Sequence, residues 1–159
     1  MKTIIIGGVA GGMSAATRLR RLDEHAEITV YEQGPHVSFA NCGLPYFIGG
    51  VIDAEESLLL QTPDSLWRRF RLDIRVNSRI VSIDPGTKTV TGTNVLTGEE
   101  FTDSYDSLIL SPGARPRQLT IPGAERALSL RDVPDAVRIK DAVDGIDAGT
   151  AVILGGGFI

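Results

Sequence analysis

The chain has 159 residues, 42% of them hydrophobic and 23% charged, so it is long enough to bury one core but too short for two full domains. Its net charge of −4 disfavours nucleic acid as the main partner, although arginines cluster at positions 18–21 and 68–71. A single cysteine excludes an internal disulfide, and no apolar run reaches membrane-spanning length. These features predict a soluble, cytoplasmic protein that binds neither nucleic acid nor membrane.

The first 32 residues have the pattern of a strand, a glycine-rich turn, a helix and a second strand. Lys2 to Ile6 is a short β-branched run typical of a buried parallel strand. Apolar residues then recur at helical spacing from Gly11 to Leu22, and Glu27 to Tyr31 is the second strand. The sequence therefore predicts one βαβ unit with a right-handed crossover.

The turn after the first strand resembles the dinucleotide-binding fingerprint G-x-G-x-x-G. Gly7 and Gly12 occupy the first and third glycine positions, whereas Val9 replaces the second. The N–H groups and the dipole at the start of the helix attract phosphate. Glu32, at the end of the second strand, is placed to accept hydrogen bonds from a ribose diol. Nucleotide binding is the favoured interpretation, and an ordinary α/β turn beside a surface glutamate is the alternative.

Cys42 follows this unit in the segment Ser38-Phe39-Ala40-Asn41-Cys42-Gly43-Leu44-Pro45-Tyr46. Pro45 suits the first turn of a short helix that ends at Gly49-Gly50, which places the cysteine at a helix N-terminus. A lone thiol after a nucleotide site suggests redox catalysis with a small-molecule thiol, a sulfane sulfur or oxidation of the sulfur itself. The alternative is a buried structural thiol.

The rest of the chain predicts two helices, an antiparallel meander and two more buried strands. Thr62 and Pro63 begin one helix, which runs through Phe70, as its N-cap and first residue. The other predicted elements are meander strands at Arg79 to Asp84, Thr87 to Val95 and Glu100 to Tyr105, buried strands at Ser107 to Leu110 and Thr150 to Leu154, and an amphipathic helix at Asp132 to Val143.

Three polar residues share one face of the first predicted helix. Ser14, Arg18 and Arg21 recur at spacings of four and three. An anionic substrate could dock on this face, and a solvated surface is the alternative. His25 and His36 show no pattern of metal ligands or of a catalytic triad, so the sequence predicts no metal site.

Four segments of the chain resemble the coenzyme A-disulfide reductases and the related NADH-dependent persulfide reductases. These are single-cysteine members of the pyridine nucleotide-disulfide oxidoreductases. The matching segments are residues 4–12, 38–46, 108–114 and 155–159, and the cysteine segment is the specific one because many flavoproteins share the glycine turns. The resemblance implies an α/β fold: a Rossmann-like FAD-binding domain with a doubly wound parallel sheet and an antiparallel β-meander insertion.

The resemblance also implies FAD as cofactor and Cys42 as the catalytic residue. In the family, NADH or NADPH reduces the flavin, electrons pass to a sulfur bound to the cysteine, and a thiol leaves. Positions that match flavin contacts are Gly7, Val9, Ala10, Gly11, Gly12, Glu32, Ile80, Ser111 and Gly113. Positions that match contacts to coenzyme A are Ser14, Arg18, Arg21, Ser38, Asn41 and, with less certain local alignment, Arg71.

Complete members of the family are longer homodimers, so the resemblance implies an N-terminal fragment that is inactive alone. Residues 1–113 are assigned to the FAD-binding domain, 114–149 to a connecting segment and helix, and 150–159 to the first strand and truncated glycine turn of a nicotinamide-nucleotide domain. Two alternatives remain open. One is an NADH oxidase or peroxidase that uses a Cys42 sulfenic acid, and the other is a non-catalytic nucleotide-binding module. The Ser14, Arg18 and Arg21 face favours the coenzyme A interpretation.

Overall fold

The computed structural model describes residues 1–117, 119–147 and 149–155. In chain order the elements are β1 (Lys2–Ile6), α1 (Ala10–Leu22), β2 (Glu27–Tyr31), α2 (Leu44–Ile48), α3 (Pro63–Phe70), β3 (Asp73–Arg75), β4 (Ser78–Asp84), β5 (Thr89–Asn94), β6 (Glu100–Ser104), β7 (Ser107–Leu110) and α4 (Val133–Asp144). Short 3-10 turns lie at Asn41–Gly43, Glu55–Leu58 and Ala124–Arg126. None of the described helices is long and apolar enough to cross a membrane.

A four-stranded parallel sheet forms the centre of the fold, with strand order β3-β2-β1-β7. Ile4 and Ile5 of β1 and Ile28 and Val30 of β2 are almost fully buried. Such continuous burial is typical of parallel strands covered on both faces. Ligands of open α/β sheets bind at the carboxyl ends of the strands, and here β1, β2 and β7 end side by side.

Helices α1 and α3 cover one face of the parallel sheet. Met13 of α1 and Leu66 of α3 pack with Ile5, Ile28 and Val30 in one apolar cluster. The helical spacing of the apolar residues in α1 directs this face toward the sheet. The cluster therefore fixes α1, and with it the glycine turn, against the ends of β1 and β2.

An antiparallel sheet of β4, β5 and β6 covers the opposite face in the described part of the chain. Val90 of β5 packs with Ile4 and Tyr31 of the parallel sheet. The rings of Tyr31 and Phe101 stack at 5.1 Å between centroids. A Cβ at Gly92 would lie 2.3 Å from the Phe101 ring, so a glycine is needed at this crossing. The meander is thus joined to the end of β2 by aromatic packing.

Another apolar cluster surrounds the cysteine segment. Phe39, Leu44 and Phe47 pack against Val133 and Ala136 of α4. All five side chains are less than 9% exposed. Helix α4 therefore covers α2, and the residues on both sides of Cys42 are anchored in a core of their own.

The predicted α/β fold class is confirmed. The structure gives β1 and β2 the bounds expected from the sequence, and Thr62 and Asp132 cap α3 and α4 through their side chains. The meander strands and β7 also form where they were predicted. Strand β3 was not predicted, because three residues are too few to show an alternating pattern.

The strand predicted at Thr150 to Leu154 is not formed, so that prediction was wrong for this structure. Val152, Ile153 and Leu154 are 59 to 87% exposed and pair with no described strand. A buried strand needs a neighbouring strand edge and apolar cover, and residues 1–117, 119–147 and 149–155 supply neither at this position. The glycine turn predicted at 155–159 lies, apart from Gly155, outside the described residues.

Candidate functional site

The glycine turn between β1 and α1 is closed by direct backbone contacts. Gly7 has a φ of +102°, which L side chains rarely adopt, and a Cβ there would lie 2.0 Å from the carbonyl oxygen of Ser111. A Cβ at Gly12 would lie 1.8 Å from the carbonyl oxygen of Gly7. Both outer positions of the fingerprint therefore require glycine. Ser111 donates its N–H to the carbonyl of Ile6 at 2.8 Å, which brings the end of β7 against this turn.

Val9 departs from the fingerprint at a position that does not need a left-handed backbone. Its φ of −105° is negative, so a residue with a side chain can occupy it. The Val9 side chain packs against the apolar cluster of Phe39 and Leu44. The N–H of Ser38 also donates to the carbonyl of Gly8 at 2.9 Å. Packing and a hydrogen bond therefore join the glycine turn to the cysteine segment.

The Glu32 carboxylate is held in place beside the glycine turn. One oxygen accepts the N–H of Gly8 at 2.7 Å, and the other accepts the N–H of Gly34 at 2.8 Å. An ionised carboxylate can accept about four hydrogen bonds. Glu32 therefore keeps capacity for the hydroxyl groups of a ribose while its orientation is fixed by the backbone.

A cavity of about 240 Å³ opens at the carboxyl ends of β1 and β2, and we call it the Glu32 cavity. Four predicted cofactor residues line it, namely Gly7, Glu32, Ile80 and Gly113. The cavity is also lined by Arg79 and Arg115, which were not predicted as site residues. An arginine next to Ile80 and another two residues after Gly113 form no recognisable sequence motif, so neither could be predicted.

The start of α1 has the properties of a phosphate-binding helix end. No side chain caps it and no acidic residue occupies its first turn, whereas α3 and α4 both carry side-chain caps. Nothing on the helix itself therefore competes with a phosphate for its first N–H groups. Together with the Glu32 carboxylate and the apolar Ile80, this arrangement fits the pyrophosphate, ribose and base of a dinucleotide.

Tyr31 lies at the centre of a polar network beside the Glu32 cavity. Its hydroxyl donates to Asp103 of β6 at 2.9 Å and accepts from Arg75 of β3 at 2.7 Å. Burial, reinforced by the hydrogen bond to Asp103, raises the pKa of Tyr31 well above its usual value, so the phenol stays neutral. Burial opposes ionisation of Asp103, but hydrogen bonds from Lys2 and Tyr31 hold its pKa below the usual range.

Cys42 lies in the 3-10 turn that leads directly into α2, and it is exposed. This exposure contradicts the alternative of a buried structural thiol, because the anchored side chains belong to its neighbours rather than to the cysteine. A Cβ at Gly43 would lie 3.1 Å from Leu58, so the next residue is closely packed. Cys42 lines neither of the two cavities found among the described residues.

A second cavity, of about 400 Å³, lies between α1 and α3, and we call it the Ser14 cavity. It brings together Ser14 and Ser38, which were predicted to contact substrate, and Val9 and Ala10, which were predicted to contact the cofactor. The other lining residues are Met13, Thr17, Phe39, Leu60, Gln61, Leu66, Arg69 and Phe70. Gln61 and Arg69 are polar members that the sequence analysis missed.

The remaining predicted substrate residues lie outside the Ser14 cavity. Arg18 and Arg21 are exposed on α1, Asn41 begins the 3-10 turn of Cys42, and Arg71 follows the last residue of α3. Arg71 has a left-handed backbone with φ of +51°, and its guanidinium lies 5.5 Å from the ring centre of Trp67. Within the described residues, no three acidic, histidine or cysteine side chains are grouped as metal ligands.

The parallel sheet and its glycine turn define a dinucleotide-binding α/β domain. The pyridine nucleotide-disulphide oxidoreductase family matches the chain over residues 1–159. The chain is 39% identical over 158 residues to a coenzyme A disulfide reductase from Staphylococcus haemolyticus, covering 99% of this chain and 36% of that protein. The chain therefore belongs to the pyridine nucleotide-disulphide oxidoreductase family, as its resemblance predicts.

Two solved structures share the fold closely. A reduced Bacillus anthracis CoADR-RHD is 53% identical with a TM-score of 0.87, covering 90% of this chain and 26% of that chain. A NAD-dependent persulfide reductase from A. fulgidus is 33% identical with a TM-score of 0.85, covering 91% of this chain and 27% of that chain. The present chain thus spans about a third of the length of the curated relatives it matches.

Proposed function

We propose that the chain is the FAD-binding part of a reductase that uses NADH or NADPH to reduce coenzyme A disulfide or a coenzyme A persulfide through Cys42. The observation that carries this proposal is the exposed Cys42 in a segment tied to the glycine turn by the Ser38 N–H. The similarity to a coenzyme A disulfide reductase and to a persulfide reductase supports the same substrate class. We further propose that the whole protein is a homodimer.

The residues around the Glu32 cavity would hold FAD. The first N–H groups of α1, from Ala10 to Gly12, would bind the pyrophosphate, and Glu32 would accept the adenosine ribose hydroxyls. Ile80 offers an apolar surface for the adenine, while Ser111 and Gly113 form the part of the site beyond β7. When bound, FAD supplies the two electrons, taken from the nicotinamide cofactor, that regenerate the Cys42 thiolate.

Cys42 is proposed to be the nucleophile of the reaction. Its thiolate attacks one sulfur of the disulfide, so a bond forms to Cys42, the substrate S–S bond breaks and the other thiolate leaves and takes up a proton. With a persulfide, attack on the outer sulfur releases the coenzyme A thiolate in the same way. The exposure of Cys42 allows a bulky thiol carrier to reach it.

Substrate binding is assigned to polar and basic residues of α1, of the cysteine segment and of the end of α3. Ser14 and Ser38 line the Ser14 cavity and offer hydroxyl groups for a polar chain. The exposed guanidinium groups of Arg18, Arg21 and Arg71 match the negative charge of coenzyme A phosphates. Asn41, adjacent to Cys42, can donate its amide to the arm that carries the sulfur.

The proposal is tested by purifying the whole protein and following NADH and NADPH oxidation with four acceptors. We expect flavin absorbance in the protein and rapid turnover with coenzyme A disulfide or a coenzyme A persulfide, with little turnover on oxygen or peroxide alone. Fast consumption of oxygen or peroxide without reduction of either sulfur substrate would instead identify an oxidase or peroxidase. A protein without flavin would contradict both.

A further inference from the structure

Arg20 joins the ends of α1 and α3 with a single side chain. Its Nε donates to the carbonyl of Phe70 at 2.8 Å and its Nη2 to the carbonyl of Arg71 at 3.0 Å. Its Nη1 donates to the carbonyls of Glu24 at 2.6 Å and Asp23 at 3.3 Å. A planar guanidinium with a fixed set of donors is suited to this double attachment, and a cation is favoured beside both helix C-termini.

The same two helices are opposite walls of the Ser14 cavity. Helix α1 supplies Ser14 and Thr17, and α3 supplies Arg69 and Phe70. Met13 and Leu66, which also line the cavity, belong to the apolar cluster that packs on the sheet. Among the described residues, the hydrogen bonds that connect α1 with the end of α3 all come from Arg20. The apolar cluster thus holds both helices on the sheet, and Arg20 adds the hydrogen bonds between their C-terminal ends.

Arg20 also supports an unusual backbone turn. Arg71 has a left-handed conformation and donates its N–H to the carbonyl of Trp67 at 2.8 Å, while Arg20 donates to the carbonyl of Arg71. A residue other than glycine adopts this conformation only where its surroundings hold it. The turn leads directly to the buried Leu72 and to β3. Loss of Arg20 therefore frees both the end of α3 and the backbone from which the Arg71 side chain projects.

We propose that Arg20 is a positioning residue for substrate binding. It sets the separation of α1 and α3, and hence the width of the Ser14 cavity and the placement of Arg71, without contacting the reacting sulfur. The inference rests on the proposed function, because the cavity is taken to receive part of a coenzyme A substrate. It also predicts that the guanidinium geometry matters, and not only the positive charge.

The test compares Arg20→Met, Arg20→Lys and a matched control, Arg68→Met, in the whole protein. Arg68 is exposed on α3, and among the described residues its side chain donates only to the carbonyl of Asp64 in the same helix, at 3.4 Å. We expect Arg20→Met to raise KM for coenzyme A disulfide about tenfold, with kcat and the KM for NADH changed less than about twofold. Arg20→Lys keeps the positive charge but loses the planar set of guanidinium donors. Its KM should therefore lie between those of the parent and Arg20→Met. Arg68→Met should behave as the parent.

Two results would overturn the inference. One is an unchanged KM in Arg20→Met, and the other is full recovery by lysine together with an equal defect in Arg68→Met, which would show a charge effect alone. Hydrogen exchange provides a readout independent of activity: the Arg71 amide should exchange faster in Arg20→Met but not in Arg68→Met. If the parent reduces no coenzyme A disulfide, the proposed function fails, and the inference then stands or falls on this exchange comparison.

Discussion

The exposed position of Cys42 separates its chemistry from the stability of the fold. Its neighbours Phe39, Leu44 and Phe47 are buried in an apolar cluster, while Cys42 itself is exposed. The segment can therefore keep its conformation when the sulfur is replaced. Substitution of this residue thus probes reactivity rather than folding.

Cys42→Ser should abolish reduction of the disulfide or persulfide in the whole protein while retaining the fold and the bound flavin. Serine is close in size to cysteine, but its hydroxyl is not ionised near neutral pH and cannot form the mixed disulfide. Flavin reduction by NADH, followed by absorbance under anaerobic conditions, should survive. Substantial sulfur reduction by the serine variant would exclude a redox role for Cys42.

Glu32→Ala should weaken FAD binding in the whole protein. The variant loses charge-assisted hydrogen bonds worth about 1.5 to 3 kcal/mol, which corresponds to roughly 10- to 150-fold in Kd. It also removes the carboxylate that accepts hydrogen bonds from the N–H groups of Gly8 and Gly34. Titration of the apoprotein with FAD measures the effect, and Glu24→Ala, at an exposed site, is the control. Equal affinity in the two variants would show that Glu32 does not bind the ribose.

At the scale of elements, the sequence predicts what depends on local pattern and misses what depends on tertiary contact. The Ile-rich run of β1 and the Thr62-Pro63 start of α3 carry their own signals, so both are predicted at the right place. Strand β3 has only three residues and exists because β2 offers it an edge. Arg20, Arg79 and Arg115 acquire their surroundings only when distant segments meet, so their roles could not be read from spacing.

The attachment of the meander to the parallel sheet depends on Asp103. This β6 carboxylate accepts hydrogen bonds from Lys2 of β1 and Tyr31 of β2, and Arg75 of β3 lies 3.8 Å away. Asp103→Asn should lower the free energy of unfolding by about 2 kcal/mol at pH 7, because a charge-assisted acceptor is lost. Chemical denaturation measures this, with Glu99→Gln at an exposed turn as the control. A loss no larger than that of the control would contradict the assignment.

The contribution of the Asp103 carboxylate to the free energy of unfolding should change with pH in a defined direction. The folded-state pKa of Asp103 is depressed, so the unfolded chain binds a proton first as the pH falls. The stability contributed by Asp103 is therefore present above its unfolded pKa of about 3.9 and is lost as the pH falls below that value. Asp103→Asn should show a flatter decline in stability between about pH 5 and pH 3 than the parent. Parallel declines would show that Asp103 is not linked to folding.

At the scale of the whole molecule, charge is distributed unevenly. The chain has a net charge of −4, yet Arg18 and Arg21 on α1 and Arg69 and Arg71 at the end of α3 are all exposed. A basic surface on an acidic protein attracts anions locally while the remainder of the molecule repels them. The attraction depends on ionic strength because exposed charges are screened within about 10 Å at 0.1 M salt.

The double variant Arg18→Ala/Arg21→Ala should raise KM for coenzyme A disulfide and flatten its dependence on salt, with flavin reduction by NADH unchanged. Removal of exposed charges weakens long-range attraction of an anionic substrate but leaves the Glu32 cavity intact. Steady-state kinetics at several salt concentrations provide the measurement, and Arg138→Ala on α4 is the control. Equal loss of sulfur reduction and flavin reduction would show that the two arginines are structural.

The glycine turn and the cysteine segment are joined by the hydrogen bond from Ser38 to Gly8 and by the packing of Val9 on Phe39, so we treat them as one unit. Anything that stiffens one end of this unit lowers the entropic cost of ordering the other. We therefore expect nucleotide binding at the turn and substrate binding near Cys42 to be coupled, and a thermodynamic coupling of this kind is reciprocal. A flavin lost from the turn should loosen the thiol, and a ligand held at the thiol should slow loss of the flavin.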